Sequence, residues 1–367
     1  MEEYDVGILT FWNVPNYGTY AQAYALQKIL ENVIADHDIR QIAYLNEYHY
    51  NFYYNKQAIY KIWTRSYWTK KIHSMRKREE KELREKEFLK DYDFIPHTKL
   101  MDKNSLGKTQ FKYVVLGSDI IWDYSIGVFQ NDPYLFGIGL KSEKTVSYAA
   151  SFGTVKMGME VPEYVAEGLK KMAYITVRDE NSADIVENIV GKRPEVVLDP
   201  AWVWDFYHDP NVSVPEIEDY IVVYGQDFDD KFIKELVIYA REQGLKLVAL
   251  DCNEDNYDWC DYLVKQKDLS PFKWIGYFKG AKYVATSTFH GLTFALIFKK
   301  KIAFAKTDFI LAKIDNFLKE LGIYEILVDN LSVEKMFDYE WDYGEIDRII
   351  EKKRKYATYI IRKMFLE

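Results

Sequence analysis

Short apolar runs that close in polar turns, each followed by a helix-like stretch, recur along this chain and constrain its fold more than any other feature. Residues 6–10, 39–44, 113–116, 144–149, 173–177 and 195–198 read as strands in the first part of the chain. Residues 220–224, 245–250, 281–286 and 302–304 do so in the second. The runs at 6–10 and 113–116 are compact and apolar, as expected of strands buried on both faces of a parallel sheet. Helical periodicity falls between them, at 19–32, 162–172, 182–190, 229–243, 270–279 and 292–298. The segment 202–218, with Pro210 and Pro215, breaks the alternation and reads as a linker. The expectation is an α/β protein: two doubly wound Rossmann-like domains, 1–205 and 216–343, facing each other across a cleft. A helical insertion at about 50–105 interrupts the first, and a last helix, 344–367, is long enough to pack back onto it.

No apolar stretch approaches the roughly 20 residues that span a bilayer, and the acidic start Met1-Glu-Glu reads as no secretory signal. Cys252 and Cys260 are the only cysteines, too few for a disulfide framework, and no spacing suggests a metal site. A cytoplasmic setting is expected. The net charge of −8 argues against general nucleic-acid binding. It hides an asymmetry. Residues 56–86 hold 11 Lys/Arg against 4 Glu, a net of +7 interleaved with Tyr60, Trp63, Tyr67 and Trp68, so the remainder carries −15. Such a segment suits peripheral contact with the inner face of a membrane, or a solvated helix with Glu–Lys pairs.

Ligands of doubly wound folds sit beyond the carboxyl ends of the strands. His290 follows one such strand and precedes a helix, where an imidazole meets backbone N–H groups that attract anions. Arg178 ends another, with a fork suited to carboxylate or phosphate and an ion pair to Asp179 or Glu180 as the competing reading. Asn16, Tyr17 and Gly18 fill the turn after the first strand. Ser118 and Asp119, and then Ser151, hold the same place after two further strands, while Ser287, Thr288 and Gly291 flank His290.

Six blocks together resemble the polysaccharide pyruvyl transferase family. They are Asn16-Tyr-Gly-Thr-Tyr-Ala-Gln-Ala-Tyr-Ala-Leu26 with the preceding strand, Val114-Val-Leu-Gly-Ser-Asp-Ile-Ile-Trp122, Ser147-Tyr-Ala-Ala-Ser-Phe-Gly153, Val177-Arg-Asp-Glu-Asn-Ser182, Val197-Leu-Asp-Pro200 and Thr286-Ser-Thr-Phe-His-Gly291. The resemblance implies a fold similar to the two-domain glycosyltransferase B arrangement. It also implies transfer of pyruvate from phosphoenolpyruvate, as co-substrate, to sugar hydroxyls, with no metal or other cofactor. On that reading His290 and Asp119 are catalytic, and Arg178, Ser287, Thr288, His290 and Gly291 meet the donor. Asn16, Tyr17, Gly18, Ser118 and Ser151 meet a sugar acceptor, with a lipid carrier left open. The chain departs from the family at Ser287, where an acid is frequent, and at Thr288, where one branch has an arginine. Two other readings stay open: a nucleotide-sugar-dependent glycosyltransferase, for which no clear nucleotide-binding acid other than Asp251 follows the strand at 220–224, and a non-catalytic subunit of a polysaccharide-synthesis complex.

Overall fold

The computed structural model describes residues 3–49, 82–83, 85–127, 129, 132–226, 228–251, 257–329 and 331–366. The basic segment 56–86 therefore lies almost wholly outside the described residues, as does Cys252. Two separate parallel sheets form. The first joins β1 (Glu3–Leu9), β2 (Ile39–Gln41), β3 (Gln110–Leu116) and β4 (Lys141–Ser147) in the order β2-β1-β3-β4. Single bridges from Val146 to Tyr174 and from Ala150 to Val177 extend it toward a small pair, β5 (Thr176–Val177) with β6 (Glu195–Val196). The second sheet runs β11-β10-β7-β8-β9, from β7 (Tyr220–Tyr224), β8 (Lys246–Leu250), β9 (Tyr262–Val264), β10 (Tyr283–Thr286) and β11 (Lys301–Phe304). Four of the five β7 residues are buried, as a strand covered on both faces requires.

Eight helices of eight or more residues are described: α1 (Tyr17–Val33), α2 (Glu163–Lys171), α3 (Glu180–Val190), α4 (Asp230–Glu242), α5 (Pro271–Gly280), α6 (Phe289–Ile297), α7 (Asp308–Glu320) and α8 (Tyr343–Leu366). Asn16 starts α1 by accepting from the Thr19 N–H at 3.1 Å, and 13 of its 17 residues are buried. That is too many for one core-facing stripe. The helix is enclosed because it lies between the first sheet, the second lobe and α8.

Side chains of α1 carry the core across the lobe boundary. Tyr17 stacks on Trp274 of α5 at 5.9 Å, and Tyr20 and Tyr24 meet Phe272 edge-on at 5.9 and 4.9 Å. One apolar cluster thus runs from Val6 and Ile8 through α1 to Val222 and Phe294. Asp91, at the described end of the insertion, adds a polar tie. Its carboxylate accepts from Ser270 Oγ at 2.7 Å and from the Phe272 N–H at 2.6 Å, at the start of α5. Beside it Lys273 pairs with Glu87 at 2.6 Å. At the far end, α8 reaches from Lys299, paired with Asp347 at 2.5 Å, to Tyr113, which meets Phe365. Midway, Arg354 Nε donates to the Trp202 carbonyl at 2.6 Å.

Some sequence-based bounds shift. The strand expected over 39–44 stops at Gln41, after which the chain pairs with residues 97–101 through single bridges at Gln41 and Tyr44. The segment 202–218 is no loose linker: Trp202, Phe206 and Val212 are buried in the shared core. Strand β9 and helix α7 were not anticipated.

Candidate functional site

In each sheet the chain leaves a central strand to one side and later returns on the other, so neighbouring strands send their loops apart. In the first sheet those neighbours are β1 and β3, and in the second they are β7 and β10. Ligand crevices of doubly wound folds form at such points. The sequence candidates lie at both.

At the second, hydrogen bonds fix the turn before His290. Thr286 Oγ1 donates to the Tyr224 carbonyl at 2.6 Å, tying the end of β10 to the end of β7. Ser287 Oγ donates to the Gln226 carbonyl and accepts from the Gln226 N–H at 3.0 Å. A side chain at Gly225 (φ +141°) would put its Cβ 2.2 Å from that hydroxyl, so only glycine fits there. Thr288 caps α6, its Oγ1 accepting from the Gly291 N–H at 3.0 Å. The Ser287 and Thr288 hydroxyls, expected to meet a phosphate, instead build this turn. Gly291 is buried against Thr286 and Thr288.

The half-buried His290 points into the first lobe. A Cβ built on Gly18 would lie 2.1 Å from its Nδ1 and 2.4 Å from its Cγ, so the ring rests on the backbone that opens α1. Its neighbour Phe289, 4.9 Å away ring to ring, receives the Arg178 guanidinium over its face at 5.0 Å. The two lobes therefore meet at adjacent residues, His290 on Gly18 and Phe289 on Arg178.

The Arg178 side chain is 5% exposed and its fork is engaged. Nη1 donates to Asp199 Oδ2 at 2.9 Å and Nη2 to Asp119 Oδ1 at 3.5 Å. Burial works against the cation, yet Asp119, Asp199 and Asp179 outweigh it and raise its pKa further. The sequence reading, which offered the fork to a donor or to Asp179 and Glu180, is corrected on this point. Asp199 is its closest partner. Asp119 adopts φ 77° and accepts from Thr19 Oγ1 at 3.0 Å and from the Ile120 N–H at 2.8 Å. His49 lies within its electrostatic reach, packed on Phe11 at 4.4 Å and Phe129 at 4.9 Å. Burial pulls the His49 pKa down to about 4, with Asp119 pulling weakly the other way.

The remaining acceptor candidates divide. Asn16 is exposed, whereas Tyr17 is locked in its stack with Trp274. Ser118 is buried, donating to Gln22 Oε1 at 2.9 Å and Asp199 at 3.4 Å. Ser151 is buried as well and donates to Asp179 at 2.6 Å. These two serines support the carboxylates instead of facing a ligand. Sequence reasoning missed Phe289, Thr19 and Asp199; a local signal existed only for Phe289, next to His290.

Two cavities flank the meeting point. One of about 110 Å³ is bounded by Arg178, Asp199, Trp202, Phe289, Phe317 and Lys353. The other, of about 320 Å³, lies between the ends of β7, β8 and β10, against Gln226, Asp251, Ser287, Thr288 and Thr307. Among the described residues no group of three or more His, Cys, Asp or Glu is arranged to hold a metal ion.

The family model described as polysaccharide pyruvyl transferase matches residues 16–304, from the cap of α1 to the end of β11. The chain belongs to that family. As a family member it is a transferase, and both partners of the lobe contact, Gly18 and His290, fall inside the match. No curated protein matches the chain. Among solved structures, UDP-GlcNAc 2-epimerase from Methanocaldococcus jannaschii is 11% identical with a TM-score of 0.51, all of both chains being covered. S. aureus MnaA in complex with UDP is 14% identical over 97% of each chain, with a TM-score of 0.48. E. coli heptosyltransferase WaaC with ADP is 12% identical over 84% of this chain and 90% of its own, at 0.40. The epimerase likeness concerns the fold alone. This pyruvyl transferase family member has two Rossmann-like domains in a glycosyltransferase B-like arrangement.

Proposed function

We propose that the chain moves pyruvate from phosphoenolpyruvate onto two hydroxyls of a sugar in glycan synthesis, closing a cyclic ketal and releasing phosphate. The supporting observation is the contact of both lobes at one imidazole, His290 of the second resting on Gly18 of the first. In the first step a proton from His290 adds to the methylene carbon of the donor, and the adjacent carbon becomes cation-like. One sugar oxygen bonds to that carbon as its proton passes to His290 or Asp119. The bond to the phosphate oxygen then breaks, the second sugar oxygen takes its place, and its proton leaves with the phosphate. Acid–base help of this kind is worth roughly 10²- to 10⁴-fold.

Arg178 is assigned to holding rather than gripping. Three carboxylates surround it, so the donor anion is placed on the other side of Phe289. There the first N–H groups of α6, at Phe289 and His290, and the positive end of that helix favour it. Ser287, Thr288 and Gly291 shape that helix start. The acceptor sugar is assigned to the turn around Asn16. As written, the steps need no metal.

The test is incubation with phosphoenolpyruvate and a panel of carrier-linked sugars. Acceptor-dependent phosphate release is expected, reduced at least about 10²-fold in a folded His290→Ala variant. Near-normal turnover in that variant would end the assignment. One observation favours a second reading: Asp251, the acid a nucleotide-sugar glycosyltransferase would use, borders the larger cavity. Nucleotide release from a sugar nucleotide, with phosphoenolpyruvate inert, would decide for it.

A further inference from the structure

The last helix carries a surface that the reaction does not use. From residue 352 to 366 it holds six Lys/Arg and no acid, in a chain whose net charge is −8. Its inward side is apolar: Ala357, Ile360, Ile361 and Met364 are buried. The outward stripe is Lys352, Lys355, Tyr359, Arg362 and Leu366, three or four apart along one face, with Tyr356 beside Lys355, and all six are exposed. Tyr359 is 57% and Leu366 83% exposed. At 1.5 Å per residue the stripe is about 21 Å long.

An ordinary solvated face would interleave acids to pair with its cations. Glu351 pairs with Lys355 at 3.7 Å and Arg354 at 4.0 Å, Glu320 of α7 pairs with Lys353 at 2.8 Å, and Tyr356 donates to Glu195. The helix itself carries no acid from 352 to 366, however, so the stripe keeps an excess of positive charge. Tyrosines place a flat apolar ring at a headgroup boundary with the hydroxyl in water, and the Lys and Arg stems do the same with their heads. Basic residues, interfacial aromatics and a protruding leucine on one helix face complement an anionic bilayer surface. No helix among the described residues is long and apolar enough to cross a membrane. We infer that α8 seats the protein on the headgroups of an anionic bilayer through this stripe, the helix lying along the surface.

The test is sedimentation of the full chain with vesicles of equal parts phosphatidylglycerol and phosphatidylcholine, and with phosphatidylcholine alone. Binding to the anionic vesicles that falls with added salt is expected, with little to the neutral ones. Each basic residue near such a surface contributes roughly fivefold, so Lys355→Gln with Arg362→Gln should weaken partitioning about 25-fold. Tyr359→Ala should weaken it too, with circular dichroism and melting temperature unchanged in both variants. Full binding by the charge variant would assign the contact to another surface and overturn the proposal. So would absence of binding, equal affinity for both vesicles, or retention on single-stranded RNA without retention on vesicles.

Discussion

Gly18→Ala separates the packing argument from helix propensity, because the two point in opposite directions. Gly18 stands in the first turn of α1, where alanine is a better helix former by up to about 1 kcal/mol. The new Cβ would lie 2.1 Å from His290 Nδ1, against an ordinary contact of at least about 3.4 Å, so the ring must withdraw by more than 1 Å. Overpacking of this size costs about 1–3 kcal/mol, partly offset by the propensity gain. A net loss of no more than about 2 kcal/mol should register as a modest drop in the urea midpoint. Catalysis should suffer more, since a misplacement of about 1 Å costs on the order of 10²-fold in rate. The assay is phosphate release alongside urea melts, for Gly18→Ala, His290→Ala and the double variant. Removing the imidazole removes the two closest atoms and leaves only the Cβ of residue 290, at 2.9 Å, so Gly18→Ala should lose most of its cost in the His290→Ala background. The coupling should then be about 1–3 kcal/mol. Additive stabilities, or a Gly18→Ala protein with undiminished turnover, would refute both the contact and the role given to the ring.

Further outcomes follow from the buried charges. Arg178→Met leaves Asp119 and Asp199 without their buried cation and should destabilise the fold by about 3–5 kcal/mol in urea denaturation. Restoring part of that stability with Asp199→Asn would confirm the pairing. His49 stays neutral in the folded chain down to about pH 4, whereas the unfolded chain takes up its proton near 6.5. Stability should therefore fall by about 3 kcal/mol as pH drops through that window, relative to a His49→Gln variant that lacks this component. Asp91→Ala removes two charge-assisted hydrogen bonds to the start of α5 and should cost about 3 kcal/mol. A change within experimental error would show that the insertion does not tie the lobes.

The fold was legible where burial is uniform. Strand β7 matches its sequence bounds because a strand covered on both faces leaves a run of apolar letters. Strands β1, β3 and β4 are recovered with their starts missed by three residues, because they begin with polar, unburied residues, Glu3, Gln110 and Lys141. Strand β9 was hidden because it is three residues long at a sheet edge and only half-buried. The turn that holds His290 was readable from strand, polar turn and helix in sequence. Its partners were not. Asp199 and Asp119 lie 21 and 59 residues from Arg178, and Gly18 lies on the other lobe from His290, so no local spacing encodes these pairs. Ser118 and Ser151 show the converse. A hydroxyl at a strand end looks the same in sequence whether it faces a ligand or a buried carboxylate.

The apolar cluster that passes through α1 sets how molecules reach the centre of the protein. Parting the lobes like a clamshell would wet Tyr17, Tyr20, Tyr24, Phe272 and Trp274 at once. At about 1.5–3 kcal/mol for each side chain, such a state would hold fewer than about one molecule in 10⁵. On the proposed reaction, donor and sugar would therefore reach the His290 contact through the rim, past Asn16 and Gln226, while the two lobes stay joined.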